Sequence, residues 1–164
     1  MNTEPLDANW MGHLLVDADL RNPRQHELFF LDNKIGFSTV LSGRSREEAI
    51  VRIPDLAGLC VLPAGPIPPN PLELLNRLNF DEFMIQVRST FDIVIIDTPA
   101  MSVAEDAAMI AVRTGAALAV AQSSRTRVAA FSDLVQGLMN AGVSVVGSVL
   151  NEVPFSKNKK VTSK

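Results

Sequence analysis

The chain has 164 residues, 47% hydrophobic and 20% charged, which gives room for one domain with a real core and excludes a disordered polar segment. Its 15 basic and 18 acidic residues leave a net charge of −3, and four of the five lysines (Lys157, Lys159, Lys160, Lys164) crowd the last eight positions. The body is therefore acidic, which excludes the broad basic face of a nucleic-acid binder. Cys60 is the one cysteine, so neither an internal disulfide nor a multi-cysteine zinc site can form, and His13 and His26 are the only histidines.

Residues 1–12 carry Glu4 and Asp7 and lack the basic start and apolar run of a signal peptide, so they read as a segment apart from a domain at 13–155. Strands are expected at 14–17, 59–62, 93–97, 116–121 and 143–150, each a continuous apolar run of the kind covered on both faces. Ser42-Gly43 reads as a turn, and the mixed-charge stretch Arg44 to Arg52 as a surface helix. Asn70-Pro71-Leu72-Glu73 supplies a cap, a first-turn proline and an acid before a helix that continues through Phe80, Phe83, Met84 and Val87. Ser102 to Glu105 forms a capping box for a helix that Gly115 closes. Thr126 can cap a further helix with the stripe Val128, Phe131, Leu134, Val135 and Leu138, ending at Gly142. The uncharged run Leu134 to Asn151 holds three glycines and reads as helix end, turn and strand, not as a membrane span. The lysine-rich 156–164 reads as a flexible tail. Strand alternating with helix implies an α/β domain, one parallel sheet with helices on both faces. With no targeting segment visible and a single cysteine, the expected location is cytoplasmic.

In such a sheet, ligands bind beyond the carboxyl ends of the strands. Two strand ends are acidic: Asp17-Ala18-Asp19-Leu20-Arg21, and Asp97 after Ile93-Val94-Ile95-Ile96. Four apolar β-formers ending in Asp is the Walker B pattern, whose carboxylate holds hydrated Mg²⁺ beside a nucleotide, although an aspartate there can equally cap a turn. Carboxylates two residues apart on an extended chain point to one side and repel unless a cation lies between them, a place Arg21 could fill. Five of the ten prolines (Pro63, Pro66, Pro68, Pro69, Pro71) fall within nine residues and stiffen that connection, either as a plain connector or as a docking wall.

Leu14-Leu15-Val16-Asp17-Ala18-Asp19-Leu20-Arg21-Asn22-Pro23 resembles the Walker A′ motif of the bacterial tyrosine kinases that accompany exopolysaccharide and capsule chain-length determinant proteins. The resemblance extends through the proline loop Leu62 to Leu75, the Walker B-like Phe91 to Pro99, and Val146 to Asn151, and covers residues 13 to about 155. It implies a P-loop NTPase fold of the deviant Walker type, shared with septum-site and partition ATPases. It also implies ATP and Mg²⁺ as cofactors and transfer of the γ-phosphate to a tyrosine hydroxyl. On this resemblance Asp17 and Asp19 are catalytic, Asp19 and Asp97 hold the metal, and Asp97, Asn151 and Arg21 contact the cofactor. A membrane-bound chain-length activator is the implied partner, with the domain peripheral to the inner membrane through it.

The sequence departs from the family pattern in three places. None of its nine glycines is followed by lysine, so no Walker A loop is present in the 164 residues. The tail has no tyrosine cluster, for the chain has no tyrosine, and Ala100 follows Thr98-Pro99 where a second proline is usual. The expectation is a domain without its first strand and P-loop helix, inactive as written, marginally stable or self-associating. The alternatives are a degenerate paralogue that serves as a partner-binding scaffold, and a partition-type ATPase.

Overall fold

The computed structural model describes residues 12–44, 48–101 and 103–153. The segment 1–11, Ser102 of the expected capping box, and the tail lie outside the described residues. The chain divides into two compact units, up to Ile110 and from Ala111 onward, with the division inside helix α5 (Asp106–Thr114).

In the first unit, β1 (His13–Asp17) runs parallel between β3 (Leu59–Leu62) and β4 (Ile93–Asp97). A short β2 (Val51–Arg52) adds to β3 antiparallel, giving the order β2-β3-β1-β4. The surface helix expected over Arg44 to Arg52 is corrected: none of its described residues is helical, and Val51 and Arg52 extend the sheet, because their backbone pairs with Val61 and Cys60. Register sets Leu14 beside Cys60 and Val94, and Val16 beside Leu62 and Ile96, so alternation gathers these six on one face. Against that face lie α2 (Phe37–Leu41), α3 (Pro71–Leu75) and α4 (Leu78–Thr90), contributing Phe37, Leu41, Leu75, Phe80, Phe83 and Val87 to one buried cluster. Phe37 meets Phe80 edge-on at 6.2 Å and Phe83 at 5.3 Å between ring centroids. Each such side chain contributes about 1.5–3 kcal/mol by burial.

The opposite face is less evenly covered. Val61 is fully buried there, yet Ile95, two strands away, is 57% exposed and Ile93 is 49% exposed. A continuous apolar run leads one to expect cover on both faces, and for β4 that expectation fails.

The second unit has β5 (Ala116–Gln122) and β6 (Ser144–Asn151), parallel, joined through α6 (Val128–Asn140). Among the described residues they form a sheet of their own, so the single five-stranded sheet is corrected to four strands plus two, each largely parallel. Helix ends follow the glycines: Gly115 at φ +79° and Gly142 at φ +81° take left-handed conformations that other residues resist. Thr126 does not cap α6; its Oγ1 accepts from the Gln122 N–H and closes the preceding turn instead. The expected helix from Asn70 breaks at Asn76-Arg77 into α3 and α4. No helix among the described residues is long and apolar enough to cross a membrane.

Candidate functional site

Strands β1 and β4 end together, Asp17 in register with Asp97. The chain leaving β1 turns at once on its own carboxylates. Asp17 Oδ1 accepts from the Asp19 N–H at 3.2 Å, and its Oδ2 accepts from the N–H groups of Arg24 at 3.2 Å and Gln25 at 3.0 Å. Asp19 Oδ1 accepts from the N–H groups of Arg21 and Asn22, an Asx turn that carries the loop into Pro23 and α1 (Gln25–Leu28). Gln25 then reaches across the strands, its Nε2 donating to Asp97 Oδ2 at 2.6 Å. One glutamine thus bonds both strand-end carboxylates, through its backbone to Asp17 and through its side chain to Asp97. Asp17 is fully buried, and burial pushes its carboxyl above the usual carboxylate range. The backbone N–H donors of Gln25 and Asp19 oppose the rise, and the Asp97 charge adds to it.

Arg21 does not sit between the carboxylates. Its Nε donates to Asp106 Oδ2 at 2.7 Å and its Nη2 to Asp106 Oδ1 at 3.1 Å, a two-pronged contact with a carboxylate that is wholly buried at the first turn of α5. Arg24 is engaged as well, with Glu27 at 2.9 Å. Sequence reasoning missed Asp106 and Gln25. An acid at a helix start announces only a favourable dipole contact, and a glutamine at a helix start announces nothing.

The proline loop leaves β3 bolted to α2. The Pro63 and Ala64 carbonyls accept from the N–H groups of Phe37 and Ser38, and Ser38 Oγ donates to the Pro66 carbonyl. Asn33 clamps Gly65 from both sides, its Oδ1 accepting from Gly65 N–H at 2.7 Å and its Nδ2 donating to Gly65 O at 3.2 Å. Farther along, Pro68, Pro69, Asn70, Leu74, Arg77 and Ser42 border a shallow cleft of about 190 Å³. Asn151 ends β6 in register with Gln122, exposed, with its Oδ1 accepting from Glu152 N–H.

These carboxylates suit a hard cation that a nucleotide helps to hold. Among the described residues no group of three or more His, Cys, Asp or Glu could cage a metal by itself. Magnesium needs only one or two carboxylates when phosphates and water complete its shell. Asp17 has spent both oxygens on backbone donors, whereas Asp19 and Asp97 each show side-chain hydrogen bonds to a single oxygen.

A parallel sheet with acidic strand ends beside a turn on β1 defines the class: a P-loop NTPase-like α/β domain. The septum-site protein MinD of Pyrococcus horikoshii matches in fold, at TM-score 0.71 and 22% identity. No family model matches the chain. The tyrosine-protein kinase ptk of Acinetobacter johnsonii is 35% identical over 143 residues, 87% of this chain and 20% of that protein. The solved kinase domain of Escherichia coli tyrosine kinase Etk aligns at TM-score 0.83 and 32% identity over 93% of this chain and 60% of that one. The VpsO kinase domain aligns at TM-score 0.80 and 30% identity, over 86% of this chain and 70% of that one. The chain belongs to the bacterial tyrosine kinase family. It spans about a fifth of the length of the Acinetobacter relative.

Proposed function

We propose that this chain carries the acidic half of an ATP-dependent protein-tyrosine kinase site, in which Asp19 and Asp97 organise Mg²⁺ on the nucleotide phosphates. The observation that supports this reading most is the in-register pair Asp17 and Asp97, linked by Gln25 at the carboxyl ends of parallel strands. Mg²⁺, when bound, would neutralise charge developing on the transferred phosphoryl group. Asp17 is assigned to the tyrosine hydroxyl, as the group that orients it and takes its proton; its raised carboxyl pKa favours proton acceptance. Because Asp17 is buried under three backbone donors, that role requires those hydrogen bonds to be exchanged when the substrate arrives. Arg21 and Asn151 are assigned to the nucleotide. The domain's proposed setting is the control of exopolysaccharide chain length and export, on the cytoplasmic side of the inner membrane beside a membrane-bound activator.

The phosphate grip of a Walker A loop is not within these 164 residues, since no glycine precedes a lysine. Each charge-assisted hydrogen bond is worth roughly 1.5–3 kcal/mol, so without several of them affinity for MgATP falls from micromolar towards millimolar. Titrating MgATP to about ten millimolar against the 164-residue polypeptide, with amide NMR shifts as readout, tests both points. Weak saturation at the Asp19 and Asp97 amides is expected. Micromolar binding would contradict the weak grip, and no response at either aspartate would contradict their assignment to Mg²⁺. A second reading, a non-catalytic partner-binding scaffold, draws its support from the half-exposed Ile93 and Ile95 on β4.

A further inference from the structure

The two arginines of the loop that leaves β1 are both held by acids outside the site. Arg24 pairs with Glu27 in an exposed contact, while Arg21 is gripped at two points by the buried carboxylate of Asp106. Arg21 belongs to the same loop as Asp19: its N–H bonds to Asp19 Oδ1, and the Asp19 charge acts on its guanidinium. Asp19 is therefore the acid Arg21 would meet if released. The groups that do hydrogen-bond to Asp17, Asp19 and Asp97 are all neutral, namely backbone amides and the Gln25 carboxamide. Among the described residues no ion pair reaches any of the three.

We propose that Asp106 is a positioning residue that holds the Arg21 guanidinium away from the Asp19 and Asp97 carboxylates, keeping on them the negative charge that a divalent cation requires. The inference rests on the reading of Asp19 and Asp97 as the Mg²⁺ carboxylates. Its physical basis is the asymmetry of burial. A carboxylate without access to water is costly unless paired, so Arg21 cannot swing to Asp19 without leaving Asp106 uncompensated. Asp19, on an open turn, has water as an alternative and loses the competition. The two-point grip also fixes the plane of the guanidinium, which a single contact would not. A free arginine among the carboxylates would do what a metal does, and repel the metal as well.

Mn²⁺ serves as the probe, titrated at low millimolar concentration into the 164-residue chain while paramagnetic broadening of the amide signals at Asp17 to Asn22 and at Asp97 is followed. The wild-type chain should show weak, saturable broadening at these positions. D106N frees Arg21 to approach Asp19, and Mn²⁺ affinity is expected to fall about ten-fold. In R21Q/D106N no cation remains to be released, and affinity is expected to return to within about two-fold of wild type. A merely structural pair would give no such recovery. Should D106N not fold, R21K takes its place, because an ammonium makes one contact where the guanidinium makes two, and affinity is expected to fall about three-fold. Unchanged affinity in D106N or R21K, or no recovery in the double variant, would overturn the proposal. Absence of broadening at Asp19 and Asp97 in the wild-type chain would instead overturn the cation reading itself, and this inference with it.

Discussion

Phe30 follows the loop of α1 with φ at +55° and its side chain 96% exposed. A bulky residue pays roughly 1–2 kcal/mol for that backbone conformation, and this one recovers nothing by burial. Replacing it with glycine relieves the strain and costs some unfolded-state entropy, so F30G is expected to raise stability by about 0.5–1 kcal/mol in a urea melt. Cys60 shows the opposite balance, 4% exposed and part of the core cluster under α2 and α4. Burial pushes its thiol up, against a smaller downward pull from Arg52, so less thiolate is present at pH 8 than in a free cysteine. Alkylation of the folded chain should be slower than that of the urea-unfolded chain by at least about a hundred-fold, a gap that closes as denaturant is added. Comparable rates in both states would place Cys60 at the surface. The site aspartates were readable from sequence because they end apolar runs. Their partners were not, for Gln25 meets Asp97 across 72 residues and Arg21 meets Asp106 across 85, contacts that only the closed sheet creates.

At the scale of elements, local chemistry predicts well where the partner is close in sequence. Asn70 caps α3 as its spacing implies, Oδ1 accepting from the Glu73 N–H with Pro71 at the first helical position. N70A should cost about 1 kcal/mol. Thr126 had only its hydroxyl as a cap signal, with neither proline nor acid behind it, and a competing use: the turn after β5 put the Gln122 N–H within reach of that hydroxyl, and the turn won. Strand β2 was hidden for another reason, since two residues of mixed polarity carry no periodicity and become a strand only through pairing with β3. The proline loop depends on Gly36. A Cβ there would stand 2.2 Å from the Pro63 carbonyl oxygen and 2.3 Å from the Gly65 nitrogen, both backbone atoms that side-chain rotation cannot move. G36A is therefore expected to push the loop off α2 and destabilise the fold by about 2–3 kcal/mol, read by thermal melting. An unchanged melting temperature would show that loop and helix are not locked together.

For the molecule as a whole, the family and the α/β class were legible in motif order and spacing, while the division into a four-stranded and a two-stranded sheet was not. Apolar runs report burial without naming the strand that provides it. Ile93 and Ile95 leave one face of β4 half-exposed, and among the described residues β4 pairs only with β1. Uncovered strands of this kind recruit other chains, so the 164-residue polypeptide is expected to self-associate as its concentration rises, and I95K to reduce that association. A wild-type chain that stays monomeric in light scattering, with an ordinary stability of ~5–15 kcal/mol, would show that β4 needs no cover. The central claim, that the joined ends of β1 and β4 serve tyrosine phosphorylation, is tested most directly by grafting. This chain would replace the matched 60% of the E. coli Etk kinase domain, and phosphate transfer from MgATP to a tyrosine peptide would be measured for the graft and for its D97N variant. The account predicts tyrosine phosphorylation by the graft and at least a hundred-fold loss in D97N. A graft that melts cooperatively yet transfers no phosphate, or transfers it equally well without Asp97, would contradict it.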